Sequence, residues 1–187
     1  MTGLKDGITM FLWVLAGIAV IYTPVRNARV YAVDFNIPAS ATFNLDAATL
    51  NLPGTITIAN AGTLVATTGM ITISNDGNWS NSGAFTAGSS TVYFTGTNHA
   101  IKYSNTFYNL TCTVAGGQLT FEAAQTQTIT NTTTLRGNAA PVFASYLTLT
   151  SSAPVTQWII NPQGTRDVDY VIVHNSYNIN ATRIIPT

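Results

Sequence analysis

The feature that most constrains the fold is a succession of very short apolar segments separated by turn residues. Between residues 49 and 73 the chain reads TLNL, TITI, TLVA and MITI, with PG, ANAG and TTG between them. Apolar and polar residues alternate within each segment, which is typical of a β-strand with one buried face. The central residues Leu50, Ile56, Leu64 and Ile71 lie six to eight positions apart. This spacing leaves room for a strand and a turn only, and it predicts a repeat of very short period.

Two architectures are compatible with such short strands. A β-solenoid stacks each turn of the chain on the next, so a strand needs only one inward face, and Gly, Asn and Ser fill its corners. A β-sandwich favours longer strands at intervals of about 8 to 12 residues. We therefore predict an all-β fold, a short β-solenoid with the β-sandwich as the alternative, and almost no helix after Pro38.

The second half of the chain is less regular and richer in aromatic residues. Its strand-like segments lengthen, as in HAIKYSNTFYNLTCTV and TQTITNTTTLRG, which is compatible with sheet-on-sheet packing. Because the open end of a solenoid has to be covered, we expect a wider, aromatic-rich C-terminal β layer over the last turns.

Charged residues are scarce. They make up 7% of the chain and cancel to no net charge, against roughly 25% charged residues in soluble globular domains. Between residues 35 and 165 the charged residues are Asp46, Asp76, Lys102, Glu122 and Arg136. A surface of Thr, Ser, Asn and Gln is typical of β structure outside the cell. It also argues against recruitment of nucleic acid or of an anionic membrane surface by charge.

The N-terminal residues have a different character. The apolar run ITMFLWVLAGIAVIY at 8–22 is shorter than the roughly 20 residues that cross a bilayer and is typical of a signal-peptide core. Val30 and Ala32 fit the small-residue positions of a cleavage site. We expect export, with a signal peptide or N-terminal apolar helix over residues 1–32 and a single β-rich domain over residues 33–187.

Two alternatives use the same N-terminal residues. An uncleaved anchor would place Lys5 on one side of a membrane and Arg26 and Arg29 on the other, and the positive-inside rule would leave the β domain in the cytoplasm. A pilin-like subunit would keep the apolar helix as the packing core of a filament, with Gly7 at the processing site, although Pro24 would end the helix early. In each case the chain would contact a membrane only through this segment.

The stretch GNWSNSGAFTAGSSTVYFTG, from Gly77 to Gly96, carries a motif. Trp79 and Phe85 lie six positions apart, and glycines mark the turns. With the following HAIKYSNTFYNLTCT, the stretch resembles Gly-, Asn- and Thr-rich β-solenoid repeats of secreted bacterial surface proteins. The resemblance implies an exported architectural or adhesive protein and supplies no catalytic residues. About one such unit is recognisable, too few turns to bury a core by stacking alone, so we expect copies to stack end to end.

One cluster of charged side chains is a candidate for chemistry. In TRDVDY, Asp167 and Asp169 lie on one strand face and Arg166 on the other, a spacing compatible with cation binding or acid–base catalysis. A solvated strand edge, where charge prevents unwanted pairing, is the simpler interpretation. His99 and His174 stand beside Asn and strand residues, which favours structural hydrogen bonding.

No other motif points to an enzyme. Glu122 and Lys102 are scattered in sequence, and neither a nucleophile elbow nor a phosphate-binding loop occurs. We therefore predict no catalytic, cofactor-binding or metal-binding residue. Cys112 in TFYNLTCTV alternates with Tyr108, Leu110 and Val114 on one face, which predicts a small buried side chain.

Three aromatic residues and four asparagines are weaker candidates for interactions with glycans. Trp79, Tyr103 and Trp158 have the chemistry to stack on sugar rings, but core or turn-capping positions are the simpler expectation. Glycosylation sequons begin at Asn78, Asn109, Asn131 and Asn180.

Threonine-rich segments such as TITI and TLTLT raise the possibility of ice binding through a flat hydroxyl array. Any half-buried strand shows the same alternation of Thr and aliphatic residues. Regular rows of Thr at constant spacing are not visible in the sequence, which argues against this function.

The sequence thus favours a non-enzymatic, exported structural subunit of an extracellular filament or cell-surface layer. Its partners would be copies of itself, joined through β-edges and a low-charge surface, with adhesion to surface glycans as an additional role. The alternatives are a carbohydrate-binding or carbohydrate-cleaving β-helix module, the pilin-like subunit, and a virion spike or fibre.

Overall fold

The computed structural model describes residues 29–31, 34–139, 143–182 and 184. The apolar run at 8–22 lies outside the described residues, and with it the signal-peptide, anchor and pilin interpretations, which stay predictions. Arg29–Tyr31 form a strand. Sheet structure therefore begins a few residues before the domain boundary expected at residue 33.

The described chain is built almost entirely from short strands. They are β1 (Arg29–Tyr31), β2 (Phe35–Ile37), β3 (Thr42–Asp46), β4 (Thr49–Leu52), β5 (Ile56–Ile58), β6 (Thr63–Ala66), β7 (Met70–Ile73), β8 (Trp79–Asn81), β9 (Ala84–Thr86), β10 (Thr91–Phe94), β11 (Asn98–Lys102), β12 (Asn105–Cys112), β13 (Gln118–Phe121), β14 (Thr126–Arg136), β15 (Leu147–Ser151), β16 (Trp158–Pro162), β17 (Thr165–Asp169), β18 (Val171–Val173) and β19 (Ser176–Asn178). One 3-10 turn, Phe143–Ser145, is the only helical element among the described residues. The prediction of an all-β fold is confirmed.

The strands form three sheets. The long sheet has the order β1-β4-β7-β10-β12-β14-β16-β19, and β17 also pairs with β14. The middle sheet has the order β18-β15-β13-β11-β8-β5-β2, and the short sheet the order β3-β6-β9. Every pairing between described strands is parallel. The fold is therefore a β-solenoid and not a β-sandwich, and the middle sheet, with one strand from each turn, gives it seven turns.

The structural repeat is longer than the sequence suggests. Leu50 is paired with Ile71, and Ile71 with Val92, so one turn of the first half takes 21 residues. The spacing of six to eight residues is the distance between the three strands of one turn, each of which belongs to a different sheet. The predicted very short period was wrong because a strand pairs with the third strand along the chain and not with the next one.

The second half continues the same parallel stack with longer strands. The short sheet ends at β9, and from there each turn reaches the long sheet directly. β12 has 8 residues and β14 has 11; β14 pairs with β16 along Thr126–Ile129 and with β17 along Thr132–Arg136. The wider C-terminal layer is present, with Phe121 and Trp158 stacked in it at 3.9 Å between ring centroids.

One hydrophobic core runs through the turns. Leu50, Ile56, Ile71 and Trp79 are fully buried, and the core continues to Val168 near the C-terminal end. The expectation of too few turns to bury a core was wrong, because turns without the recognisable motif stack in the same way.

The two described tryptophans lie in this core, as expected, but Tyr103 does not. Trp79 and Trp158 are at most 1% exposed, whereas Tyr103 is 41% exposed. The backbone of Tyr103 adopts φ 62°, a left-handed conformation typical of a corner between strands.

Cys112 is buried, as its sequence pattern predicts, but its neighbours differ from the expected set. The register between β12 and β14 shifts between Phe107 and Asn109. Phe107 and Leu110 are consequently both buried, while Tyr108 is only half-buried. A β-bulge changes which face a side chain occupies. The alternation of apolar and polar residues in the sequence does not show where such a bulge occurs.

Burial raises the pKa of the Cys112 thiol to about 12. Because the thiolate is the reactive form, we expect a thiol reagent at neutral pH to leave the folded protein unmodified and to modify Cys112 fully once the chain is denatured. Mass spectrometry after parallel incubations tests this. Modification at equal rates in the folded and denatured protein would contradict the buried position.

Candidate functional site

The carboxylates of Asp167 and Asp169 lie on one face of β17, as predicted, but their cationic partner is Arg136 of β14. Arg136 Nη1 is 3.0 Å from Asp167 Oδ1, and Arg136 Nη2 is 3.6 Å from Asp169 Oδ2. Arg166 is bound elsewhere, since its Nη2 donates to Asn180 Oδ1 at 2.9 Å. One guanidinium thus bridges both carboxylates within the molecule, an arrangement that supports a structural role for the cluster.

Sequence reasoning missed Arg136 because the pairing of β14 with β17 joins distant positions. Arg136 is in register with Asp169, and the chain between them contains the 3-10 turn and two further strands. Knowledge of the 21-residue turn would not have found it, because this turn carries an insertion. Side-chain exposures of 39% for Arg136 and 36% for Asp167 keep the energy of the pair below about 1 kcal/mol.

The two histidines do not meet. His99 is 3% exposed; its Nε2 accepts the N–H of Gly96 at 2.7 Å, so Nδ1 carries the proton and donates to the Gly77 carbonyl at 2.5 Å. The structural hydrogen bonding predicted for His99 is confirmed. His174 is exposed, and its backbone carbonyl accepts the indole N–H of Trp158 at 3.1 Å.

Lys102 and Glu122 line one shallow cleft of about 260 Å³, together with Tyr103 and Ser152. Glu122 Oε2 accepts the backbone N–H of Tyr103 at 2.5 Å, so this carboxylate ties one turn to the next. Within the ranges that the structure describes, no three His, Cys, Asp or Glu side chains converge as metal ligands. The cleft therefore contains Lys102 and a carboxylate that is already engaged in a structural hydrogen bond.

Asp76 shows what the few acidic side chains do in this fold. Its Oδ1 accepts the backbone N–H of Asn98 at 2.7 Å and both the N–H and the hydroxyl of Thr97 at 3.1 Å. These bonds, above all the one from the Asn98 N–H, lower the pKa of Asp76 below its ordinary value and outweigh the opposing effect of desolvation. The carboxylate clamps the corner of the next turn.

We expect the clamp at Asp76 to make stability depend on acid pH. A carboxyl group whose pKa is lower in the folded state stabilises it fully above the unfolded value, here 3.8, and loses this contribution as pH falls through the folded value. Asp76→Asn keeps an oxygen acceptor but has no charge to titrate. Denaturant unfolding of both proteins should give a difference that shrinks on acidification below 3.8; a difference independent of pH would contradict the assignment.

A buried ladder of amides lies at the corner where the short sheet ends. Asn105 Oδ1 accepts the indole N–H of Trp79 at 2.8 Å and the amide of Asn81 at 3.1 Å. Asn105 Nδ2 donates to Gln127 Oε1 at 3.0 Å. All three amide residues are at most 6% exposed. The ladder satisfies polar groups that would otherwise be unpaired in the core, and no local sequence pattern predicts it.

The outer face of the long sheet carries two rows of mostly hydroxyl and amide side chains, here called the hydroxyl–amide face. Register places the first row at Thr49, Met70, Thr91, Asn109, Thr132 and Thr165. It places the second row at Asn51, Thr72, Tyr93, Thr111, Thr134 and Asp167. Each residue is half-buried or exposed, while Leu50, Ile71 and Val92 between the rows are buried.

These rows correct a conclusion from the sequence. Rows of Thr at constant spacing seemed absent because successive members are separated by 18 to 33 positions along the chain, as for Thr91 with Asn109 and Thr132 with Thr165. Parallel pairing nevertheless brings them side by side. Because the turns differ in length, the array does not show as a constant spacing in the sequence.

The C-terminal turn, formed by β18, β19 and residues 179–182, exposes three large apolar side chains. Val173, Tyr177 and Ile179 are 46%, 54% and 48% exposed. β18 and β19 are also the last strands of the middle and long sheets, so each has a partner on one side only among the described strands. An edge of this kind is able to pair with another chain.

The four sequon asparagines are engaged in bonds between turns. Asn78 Oδ1 accepts the N–H of Ala100 at 2.6 Å, and Asn131 Nδ2 donates to Asn109 Oδ1 at 2.8 Å. Asn180 binds Arg166 through Oδ1. These amides stack the turns on one another, and their glycosylation stays a prediction.

Comparison with known proteins adds no relative to this description. No protein-family model, curated protein or solved structure matches the chain. Among the described residues no helix is long and apolar enough to cross a bilayer. A function for the chain therefore has to be inferred from the geometry of the molecule alone.

Proposed function

We propose that the chain is a non-enzymatic structural subunit, exported to form an extracellular filament or cell-surface layer from copies of itself. The observation that carries the proposal is the C-terminal turn, where strand edges without a partner among the described strands coincide with exposed apolar side chains. The low charge of the chain and the internal use of its ionisable groups support the same function.

The backbone at the C-terminal turn is suited to continuing the stack. β18 is paired with β15, and β19 with β16, which leaves the opposite edge of each strand free of partners among the described strands. In the middle sheet every earlier strand satisfies that edge by parallel pairing with the strand of the turn that follows. A second copy that placed its first turn there would extend the same ladder by main-chain hydrogen bonds.

Apolar side chains add a driving force at the same end. Val171 and Val173 are in register with the buried Leu147 and Leu149 of the preceding turn. Val173 is nevertheless 46% exposed, because no described strand follows it, so a further turn stacked there would bury it. Burial of such side chains contributes roughly 1.5–3 kcal/mol each when it is complete.

The opposite end of the solenoid offers a matching surface. β2 is the first strand of the middle sheet and β3 the first of the short sheet, and each has one partner among the described strands. Because all strands of a sheet run in the same direction, translation of one copy along the solenoid axis brings β18 of one molecule next to β2 of the following molecule in parallel orientation. This head-to-tail contact repeats without closing and builds a filament.

The low charge of the chain reduces electrostatic repulsion between stacked copies. Charged residues form 7% of the chain and sum to zero, so identical subunits repel each other weakly. The ionisable groups Asp76, Glu122, Arg136 and Asp167 are also engaged within the molecule. The same internal engagement supports a protein without catalytic chemistry.

Sedimentation velocity of the full chain with charged variants tests the assembly surface. We expect Val173→Lys to shift large species toward monomer, because Val173 is in register with the buried Leu149 and lysine there places a charge on the exposed end of the core. Val155→Lys is the matched control, since Val155 is 91% exposed in the loop between β15 and β16; this variant should assemble like the unmodified protein. Equal behaviour of the two variants, or a monomeric unmodified chain at all concentrations, would overturn the proposal.

A further inference from the structure

Beyond assembly, we propose that the hydroxyl–amide face binds the surface of ice. The ligand is an ordered lattice of water molecules, bound by a regular two-dimensional array of threonine and asparagine side chains. This inference concerns the side of the solenoid, and the proposed assembly concerns its ends, so either can hold without the other.

The spacing of the array is set by the backbone. Neighbouring strands of a sheet lie about 4.7–4.9 Å apart, and alternate residues of a strand lie about 6.6 Å apart. The two rows therefore define a nearly rectangular net that extends over successive turns of the long sheet. Water molecules bound to equivalent side chains of successive turns therefore lie at a regular interval, as an ordered lattice requires.

The chemistry of the face suits an ordered water layer. The hydroxyls of Thr72, Thr111 and Thr134 make no side-chain hydrogen bond to another described residue, since the bonds of this face involve other members such as Asn109 Nδ2 with Thr91 Oγ1 at 3.0 Å. They are free to bond to water, and each threonine methyl group limits the directions that this water can take.

Charge is nearly absent from the face. Asp167 is its single ionisable carboxylate or cation, and it lies at the last turn in an ion pair with Arg136 at 3.0 Å. Charged groups bind water strongly in arrangements of their own and would disturb a lattice. The outer side of the middle sheet differs, because Lys102 stands there in register with Ser80.

Two residues interrupt the array, and their replacement should strengthen the binding of ice. Met70 interrupts the first row and Tyr93 the second, on adjacent turns. Met70 is 41% exposed, and the Tyr93 hydroxyl bonds to Thr113 Oγ1 at 3.1 Å. Replacement of both residues by threonine would complete a continuous field of hydroxyl and amide groups from β4 to β14.

Ice growth in the presence of the full chain is the direct experiment. A nanolitre osmometer measures thermal hysteresis, the gap between melting and freezing temperatures, and records the shape of a single crystal. We expect hysteresis and faceted crystals with the unmodified protein, and a larger gap at equal concentration with the double variant Met70→Thr/Tyr93→Thr. Round crystals and no gap, as with a serum albumin control, from protein whose circular dichroism shows folded β structure would overturn the proposal.

Matched lysine variants locate the activity on one face. Thr111→Lys, in the second row of the hydroxyl–amide face, should reduce the hysteresis to the buffer level. Thr148→Lys places the same charge at a half-buried threonine on the outer side of β15 in the middle sheet, and it should leave the hysteresis unchanged. An equal loss in both variants, or an equal retention, would contradict the assignment of the face.

Discussion

Replacement of Trp79 by alanine is expected to lower the free energy of unfolding by about 3–5 kcal/mol. Trp79 is fully buried and packs edge-to-face against Phe85 and Phe107, with ring centroids 4.8 and 5.3 Å away. Its indole N–H also donates to Asn105 Oδ1 at 2.8 Å. The substitution removes a ring from the centre of the stack and a donor from the amide ladder, and chemical denaturation followed by far-UV circular dichroism measures the loss.

Trp79→Phe separates the two contributions. Phenylalanine keeps an aromatic ring against Phe85 and Phe107 but lacks the indole N–H, so the expected loss is about 1–2 kcal/mol, from one hydrogen bond and a smaller ring. If the phenylalanine and alanine variants were equally destabilised, the packing at Trp79 would not be what stabilises this turn. If neither variant were destabilised, the position of Trp79 in the core would be wrong.

Gly83→Ala is expected to destabilise the protein by at least about 3 kcal/mol, the upper end of the usual range for overpacking. A methyl group at Gly83 would collide with the backbone carbonyl oxygens of Ala59 and Gly62, which belong to the preceding turn. Carbonyls that take part in inter-turn hydrogen bonds, such as Gly62 O with the N–H of Ala84 at 2.8 Å, cannot move aside without breaking the stack. The reason is close approach between turns, since no positive φ is involved at this glycine.

Gly117→Ala is the matched control for this contact. The three atoms nearest to a methyl group there all belong to Val114 of the same loop, and the nearest backbone oxygen is 3.3 Å away rather than 2.3 Å as at Gly83, so we expect a smaller loss of about 1 kcal/mol. Denaturation midpoints of the two variants, measured together, decide the matter. Similar midpoints would contradict the tight stacking of turns at Gly83.

Local patterns in the sequence predict the strands well. Alternation in TITI places Ile56 and Ile58 inward, and both are fully buried. The predicted turn glycine Gly83 lies between two strands, and the structure adds that it makes a close contact with the preceding turn. These features depend on a few neighbouring residues, and the alternation of side chains between the two faces of a strand is sufficient to predict them.

Pairing between turns is much harder to predict, because it depends on the length of every loop between two strands. The bulge near Phe107 reverses the side on which the next residues lie, and the insertion before β15 separates Arg136 from its partners Asp167 and Asp169. The amide ladder at Asn105 and the rows of the hydroxyl–amide face arise in the same way. Each of these features depends on which residues of neighbouring turns are paired. A single sequence does not show this pairing directly.

Electron microscopy of the chain recovered from its native source, without denaturant, tests the central claim of assembly most directly. Head-to-tail stacking of a solenoid with seven turns, at about 4.8 Å per turn, predicts filaments with a subunit repeat of about 34 Å. Their diffraction should also show a strong meridional reflection at about 4.8 Å, because the β-strands would lie across the filament axis. Discrete monomeric particles across salt and protein concentrations, or filaments without the 4.8 Å reflection, would contradict the account.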